Sequence, residues 1–520
     1  MRRTAAKRFL VVLAVLALLS GLLAVPAGAK PKKDQPQDRA SSPAAVAYDA
    51  LGERGSLHHV VDQIGARELW ADGITGAGID VAVIDTGLSP VPAFSDPDQV
   101  AAVVDLSFEG GVPELAFLDT YGHGTHMAGI IAGRDPGVDP ATASPDDFLG
   151  VAPDARIVSV KVADNTGAVD VSQVIAGIDW VVQHRDAEGL NIRVINLSYG
   201  TDSTQPADVD PLVAAVERAW DAGIVVVVAA GNDGRPEKGL SNPARSPYVI
   251  AVGAAELRNN GKWKVAKYST SGSAERTVDV VAPGTSIDSL RVPGSRADVE
   301  HPEGYVSGTL FRGSGSSQAA AVVSGGVALL LQARPDLTPD QVKALLRGSA
   351  ESIRNTNAKF QGEGLVDLAA AAAAPVPDAE QTWPRSTGAG SLEAARGSAH
   401  VVVDGVEVRG EVTVWGQPFD GAAVHESGLL GNSWTGNSWT GSSWTGNSWT
   451  GFSWTGNSWT GFSWTGSSWT GFSWTGVSWT GSSWTGFSWT GNSWTGNSWT
   501  GNSWTGSSWT GSSWTGTAWG

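Results

Sequence analysis

"RVINLSYGTDSTQPADVDPLVAAVERAWDAGIVVVVAA", residues 193–230, decides the fold. A short Val/Ile-rich run gives way to a Thr/Asp/Pro loop. A stretch with apolar residues at helical spacing follows, closed by Gly223, and a second Val-rich run completes it. Strand, helix and strand in under forty residues is the signature of a parallel crossover unit. The same alternation extends outward. "IDVAVID" (79–85), "RIVSVKV" (156–162) and "YVIAVGA" (248–254) read as buried strands, and Val171, Val174, Ile175, Ile178, Val181 and Val182 lie at helical spacing. The expected fold is α/β, a mostly parallel sheet flanked by helices on both faces. In such sheets the reactive groups gather outside the carboxyl ends of the strands.

The chain has 520 residues, no cysteine and a formal charge of −17. The acidic balance argues against nucleic acid as a partner. Residues 1–29 read as a signal peptide: Arg2, Arg3, Lys7 and Arg8 precede an apolar run from Phe9 to Val25, and Ala27-Gly28-Ala29 offers a cleavage point. Secretion is therefore expected, and stability without disulfides must come from a large core. Residues 30–55 read as a flexible polar leader, 56–372 as the globular domain, and 373–430 as a Pro/Ala/Gly linker. Within that linker, Asp404-Gly405 between Val runs predicts a small β hairpin.

Four strand or helix ends carry complementary polar groups. "IDVAVID" ends in Asp85. "TYGHGTHMAGIIAG" (120–133) opens a small-residue helix with His123 and, one helical step on, His126. "VVVVAAGNDG" (225–234) presents Asn232. "FRGSGSSQAAAVVSGG" (311–326) holds Ser314, Ser316, Ser317 and Ser324, two of them where a helix begins and its free N–H groups favour an anion.

Together with "LGVAPDARIVSVKV", "INLSYG" and "VDVVAPG", these motifs stand in the order of the subtilisin-like serine proteases (subtilases), which residues 56–372 resemble. The resemblance implies Asp85 as orienter, His123 as base and Ser317 as nucleophile. It further implies Asn232 and the backbone N–H of Ser317 as the oxyanion hole, and Ser198, Tyr199, Gly200, Ala230 and Gly231 along the substrate cleft. The order Asp, His, Ser is that of this protease class. Asp-Thr-Gly occurs in aspartic proteases too, but those need two such carboxylates and a β-rich fold. His126 and the other three serines read as structural. The chain departs from the family at Gln318-Ala319-Ala320-Ala321, where Met-Ala-Ala-Pro is usual, and its leader is shorter than an inhibitory prodomain.

No cofactor is needed for this chemistry. A structural calcium ion is a possible addition, since Asp135, Asp139, Asp146 and Asp147 supply oxygen ligands in the loop 134–147. Their spacing fits no defined calcium loop, and a solvated acidic surface is the competing reading.

Residues 431–520 repeat x-Ser-Trp-Thr-Gly, with a tryptophan every five residues from Trp434 to Trp519 and no charged side chain after Glu426. Recurrent Gly and β-formers oppose helix. Four units per coil would give a four-sided β-solenoid of about four and a half turns; a disordered low-complexity tail is the alternative. The expected whole is a secreted serine endopeptidase acting on protein or peptide substrates, with the tail on the cell envelope or an insoluble polymer. The competing expectation is an adhesive surface protein whose protease fold is a scaffold.

Overall fold

The computed structural model describes residues 48–429, apart from residues 111, 113, 188, 236–238 and 404, and the backbone of residues 438–519 apart from 502–503. The signal-peptide reading and residues 30–47 of the leader lie outside the described residues.

Two short helices, α1 (Leu57–Gln63) and α2 (Ala66–Ala71), precede β1 (Asp80–Asp85) and β2 (Val100–Asp105). Then come α3 (His123–Ala132), β3 (Arg156–Lys161), α4 (Val171–His184), β4 (Ile192–Leu197), α5 (Pro211–Asp221), β5 (Val225–Ala229) and β6 (Ile250–Leu257). The strands are short β-branched runs, and β1 and β5 are buried along their whole length. Burial on both faces is why they read as continuous apolar stretches rather than as alternation. Asp170 and Asp210 cap α4 and α5, each accepting from backbone amides of the first turn.

The sheet runs β2-β3-β1-β4-β5-β6 in parallel. It ends in β7 (Trp263–Val265), antiparallel to β6, and β8 (Val280–Pro283) also pairs with β6. From β1 the chain moves outward to β2 and β3, then crosses back to β4 on the other side. The strand order therefore switches direction between β1 and β4, and a crevice opens outside their carboxyl ends. That crevice is where Asp85 stands.

A hairpin of β9 (Ile287–Leu290) and β10 (Leu310–Gly313), with α6 (Arg296–Glu300) in its loop, delivers the chain to α7 (Ser316–Ala333). This 18-residue helix is long and apolar enough to cross a membrane, but it is a core helix: it packs on α3 and against β4, β5 and β6. Helices α8 (Pro339–Ser349), α9 (Ala358–Gln361) and α10 (Leu368–Ala373) close the domain.

Two boundaries differ from the sequence reading. Residues 48–55 are not a flexible leader. Tyr48 Oη donates to Asp288 (3.2 Å), and Glu53 pairs with Arg312 (2.8 Å) in the strand that leads to Ser317. Residues 383–429 are not a free linker either. The expected small hairpin is the pair β11 (Val402–Val403) and β12 (Val406–Glu407), but it stands between two unforeseen helices, α11 (Leu392–Arg396) and α12 (Gly421–Leu429). Leu392 and Ala395 join the main core and Arg396 is fully buried against Asp170. Composition hid both segments, because each is anchored by a few residues whose partners lie far away in sequence.

In the repeats, β13 (Ser438–Gly501) and β14 (Trp504–Trp519) pair in parallel. Trp484 aligns with Trp504, Gly486 with Gly506 and Ser488 with Ser508, an offset of twenty residues or four units. The Trp, Thr and Gly positions thus align with their own kind four units on, which suits a chain that coils every four units.

Candidate active site

Asp85 closes β1 and is buried, with its carboxylate toward the start of α3. His123, the first residue of α3, offers Nδ1 to both carboxylate oxygens, at 2.8 and 3.0 Å. Its side chain is 28 % exposed against 5 % for Asp85, so the ring bridges the interior and the crevice. Burial pushes the imidazole pKa down. The charge and hydrogen bond of Asp85, with the charge of Asp119 behind it, outweigh burial and hold it above the ordinary value. Fixing Nδ1 on the carboxylate leaves Nε2 as the ring's outward nitrogen.

The glycine at 124 permits this approach. A Cβ there would lie 2.3 Å from the carbonyl oxygen of Gly87, so only hydrogen lets α3 start against the end of β1. Thr86 reinforces the junction. Its Oγ1 accepts from Gly124 N (2.8 Å) and donates to Asp119 (2.7 Å), while Asp119 also accepts from Gly122 N (2.6 Å) and Thr125 N (2.7 Å). Lys161, fully buried and paired with Glu109 at 2.8 Å, donates to the carbonyls of Thr86 (2.9 Å) and Leu118 (2.6 Å) from below. Sequence reasoning missed Asp119, Thr86 and Lys161. The signal for the first two lay in "DTG" and in an Asp four residues before His123.

The four serines separate cleanly. Ser314 Oγ accepts from Ser286 N (2.8 Å) and Ser324 Oγ donates to Asn196 in the core (3.0 Å). Buried Ser316 accepts from Gly231 N (3.0 Å). Ser317 is half-buried in the first turn of α7, where its own amide has no preceding helical carbonyl to bond. Asn232 is exposed, and its Oδ1 accepts from Ser316 N (2.9 Å). That bond orients the carboxamide so that Nδ2 remains free to donate. A Cβ on Gly315 would sit 3.3 Å from this Nδ2 and 2.8 Å from Gln318 Oε1, so glycine keeps the space beside the donor open.

His126 is 4 % exposed, and burial followed by the charge of His123 pushes its pKa down to about 3. It is a neutral core residue rather than a second base. Of the expected cleft residues, Ser198, Tyr199 and Gly200 emerge from the end of β4, with Gly200 exposed. Ala230 is buried and its N–H is spent on Val252 O (2.9 Å). Gly231 donates to Ser316 and accepts from Thr270 N (2.9 Å), so both are tied inward.

In the acidic loop, Asp135 accepts from Phe148 N, Asp139 from Ala141 N, Asp146 from Ala50 N and Asp147 from Ser144 N. Each carboxylate is engaged in fastening backbone. Among the described residues, the grouping with metal-ligand geometry is His58, His59 and Asp62, where Arg67 already pairs with Asp62.

Residues 76–390, more than half of the chain, match the Subtilase family profile. The chain belongs to the subtilase family. Among relatives of this subtilase, the serine protease AprX of Bacillus subtilis (strain 168) is 35 % identical over 313 residues, 58 % of this chain and 68 % of its own. Subtilisin of Bacillus pumilus is 34 % identical over 324 residues, 61 % of this chain and 99 % of the relative. Among solved structures, fervidolysin from Fervidobacterium pennivorans, described as a keratinolytic enzyme related to subtilisin, is 30 % identical with a TM-score of 0.50. That alignment covers 67 % of this subtilase and half of the fervidolysin chain. Fold and enzyme class thus agree with the sequence reading: a subtilisin-like serine protease domain on an α/β sheet.

Proposed function

We propose that this chain is a secreted serine endopeptidase in which Ser317, His123 and Asp85 act together and Asn232 serves the oxyanion. The observation that carries the reading is the 2.8 Å hydrogen bond from His123 Nδ1 to Asp85, made at the switch point of the sheet by a helix, α3, that packs on α7. Ser317 Oγ attacks the scissile carbonyl as His123 Nε2 takes its proton, and Asp85 stabilises the imidazolium. The oxyanion is held by Asn232 Nδ2 and the Ser317 N–H. Collapse returns the proton to the leaving amine and leaves an acyl-enzyme, which water hydrolyses with His123 again as base.

An extended peptide fits this arrangement as a strand added at Ser198–Gly200, where the backbone leaves the sheet. The amino-terminal pattern, Arg2, Arg3, Lys7 and Arg8 before an apolar run, supports secretion. The uncharged repeats, stacked at a four-unit offset, hold the enzyme on an envelope or insoluble polymer. Ending the chain at Leu430 leaves casein hydrolysis and removes that retention; retention without the repeats contradicts the assignment. For the active site, a fluorophosphonate probe labels the chain at Ser317, and labelling at any other residue refutes the nucleophile.

A further inference from the structure

Because β1 lies between β3 and β4, Asp85 is flanked by two walls: the loop after β3, residues 162–170, and the loop after β4, residues 198–210. Both walls are fastened to the same carboxyl-terminal segment, most of which lies beyond residue 390, where the family match ends. Loops at a sheet's end are the soft part of such a fold, so what holds them sets the shape of the crevice.

The first wall ends in Asp170. This fully buried carboxylate caps α4 and receives Arg396 Nε at 2.6 Å. Arg396 is itself fully buried, and its other N–H groups reach the carbonyls of Gly410 (2.7 Å) and Val412 (2.5 Å), so the guanidinium gathers the segment onto that wall. On the second wall, Gln205 forms a two-way pair with the backbone of Ser391, donating to its carbonyl and accepting from its amide at 2.9 Å each. Asp202 accepts from Ser398 N (2.7 Å). Gly397 has φ +63°, and a Cβ there would fall 2.1 Å from the Asp202 carboxylate, so the segment lies directly on the loop. Tyr199, on the second wall, is half-buried within electrostatic reach of Asp170 at the end of the first wall and of Arg396.

We propose that residues 386–412 form a brace that fixes the spacing of the two crevice walls, with Arg396 as the positioning residue that pins them for an extended peptide. The inference rests on the reading that a peptide lies between these walls. Arg396 touches neither substrate nor the reacting groups. Without it the walls move independently and must be ordered by the substrate, which raises KM and leaves the chemistry at Ser317 intact.

The test uses the full chain with two substrates, a tetrapeptide p-nitroanilide that spans the walls and p-nitrophenyl acetate, which needs only the nucleophile. Active sites are counted by fluorophosphonate titration. Because Arg396→Met alone strands a buried carboxylate, the working variant is Asp170→Asn/Arg396→Met, which removes both charges and keeps a capping side chain. The expected result is a peptide KM higher by about tenfold, the equivalent of ordering one or two side chains on binding, with peptide kcat and acetate turnover within about twofold. A peptide KM at the parent value, or equal losses on both substrates, overturns the brace. Gln205→Ala provides a second route through the other wall: a raised peptide KM with unchanged acetate turnover is expected, and an unchanged KM overturns the proposal even where the double variant does not fold. A parent chain inert toward both substrates refutes the functional reading itself, whereas an unchanged KM in a working enzyme refutes the brace alone.

Discussion

Replacing Gly124 by alanine adds one methyl group at the junction between β1 and α3. Its Cβ would lie 2.3 Å from Gly87 O, 3.0 Å from Gly87 N and 3.2 Å from Thr86 N, all backbone atoms with no side chain to swing aside. Relief requires the start of α3 to retreat from the end of β1 by roughly 1 Å, since close-packed interiors absorb no such overlap. The Asp85–His123 bond, 2.8 Å now, then opens beyond hydrogen-bonding distance. A displacement of this size among reacting groups costs about 10² in rate, and overpacking costs about 1–3 kcal/mol of stability. The assay is kcat/KM on a peptide substrate, normalised to fluorophosphonate-titrated sites and run beside thermal unfolding. The pH profile gives an independent readout: the alkaline displacement that Asp85 confers on His123 should shrink. Gly124→Ala with kcat/KM within about threefold of the parent and an unchanged pH limb would refute the reasoning.

Three further outcomes follow from the same geometry. His123 must be neutral to act as base, and its pKa is held above the ordinary value; activity therefore rises with pH along a limb displaced to the alkaline side, and Asp119→Asn, by removing one of the charges responsible, moves that limb toward lower pH in a kcat/KM profile. Asn232→Ala lowers kcat with little change in KM; the expected factor of about 10²–10³ is the one known for the oxyanion asparagine of a subtilisin rather than one worked from this structure. For buried Asp279, burial raises the pKa, but Arg276 and Lys343 outweigh it and hold the carboxyl down at about 2. A depressed carboxyl stabilises the fold above its unfolded pKa and loses that contribution as pH falls through the folded value. Asp279 therefore contributes about 2 kcal/mol that disappears between pH 4 and pH 2. In Asp279→Asn, chemical denaturation should show that pH dependence removed and neutral-pH stability lower by about 3–5 kcal/mol.

The parallel sheet was legible because β1 and β5 are buried along their whole length and so appear as the apolar runs 81–84 and 225–229. The candidates Asp85, His123, Asn232 and Ser317 stood out in the sequence because each falls at an element's end in a motif of fixed spacing. Long-range hydrogen bonding was not. The motif points to Ser317 rather than Ser316, but what Ser316 does shows only when Gly231, 85 residues away, is seen donating to it. Arg396 lies in a Pro/Ala/Gly-rich stretch, and its partner Asp170 is 226 residues distant. Tyr48 and Glu53 likewise looked like part of a polar leader until Asp288 and Arg312 came beside them. Local composition reports backbone freedom and average polarity; it does not report a single buried charge pair that fastens a segment to a distant wall.

As proposed, Ser317 is the nucleophile of a working endopeptidase. Casein hydrolysis by the full chain and by Ser317→Ala, compared at equal folded concentration, tests it most directly. Cleavage by the parent chain is expected, with none above background in the variant. Equal cleavage by both, or none by a correctly folded parent, would contradict it.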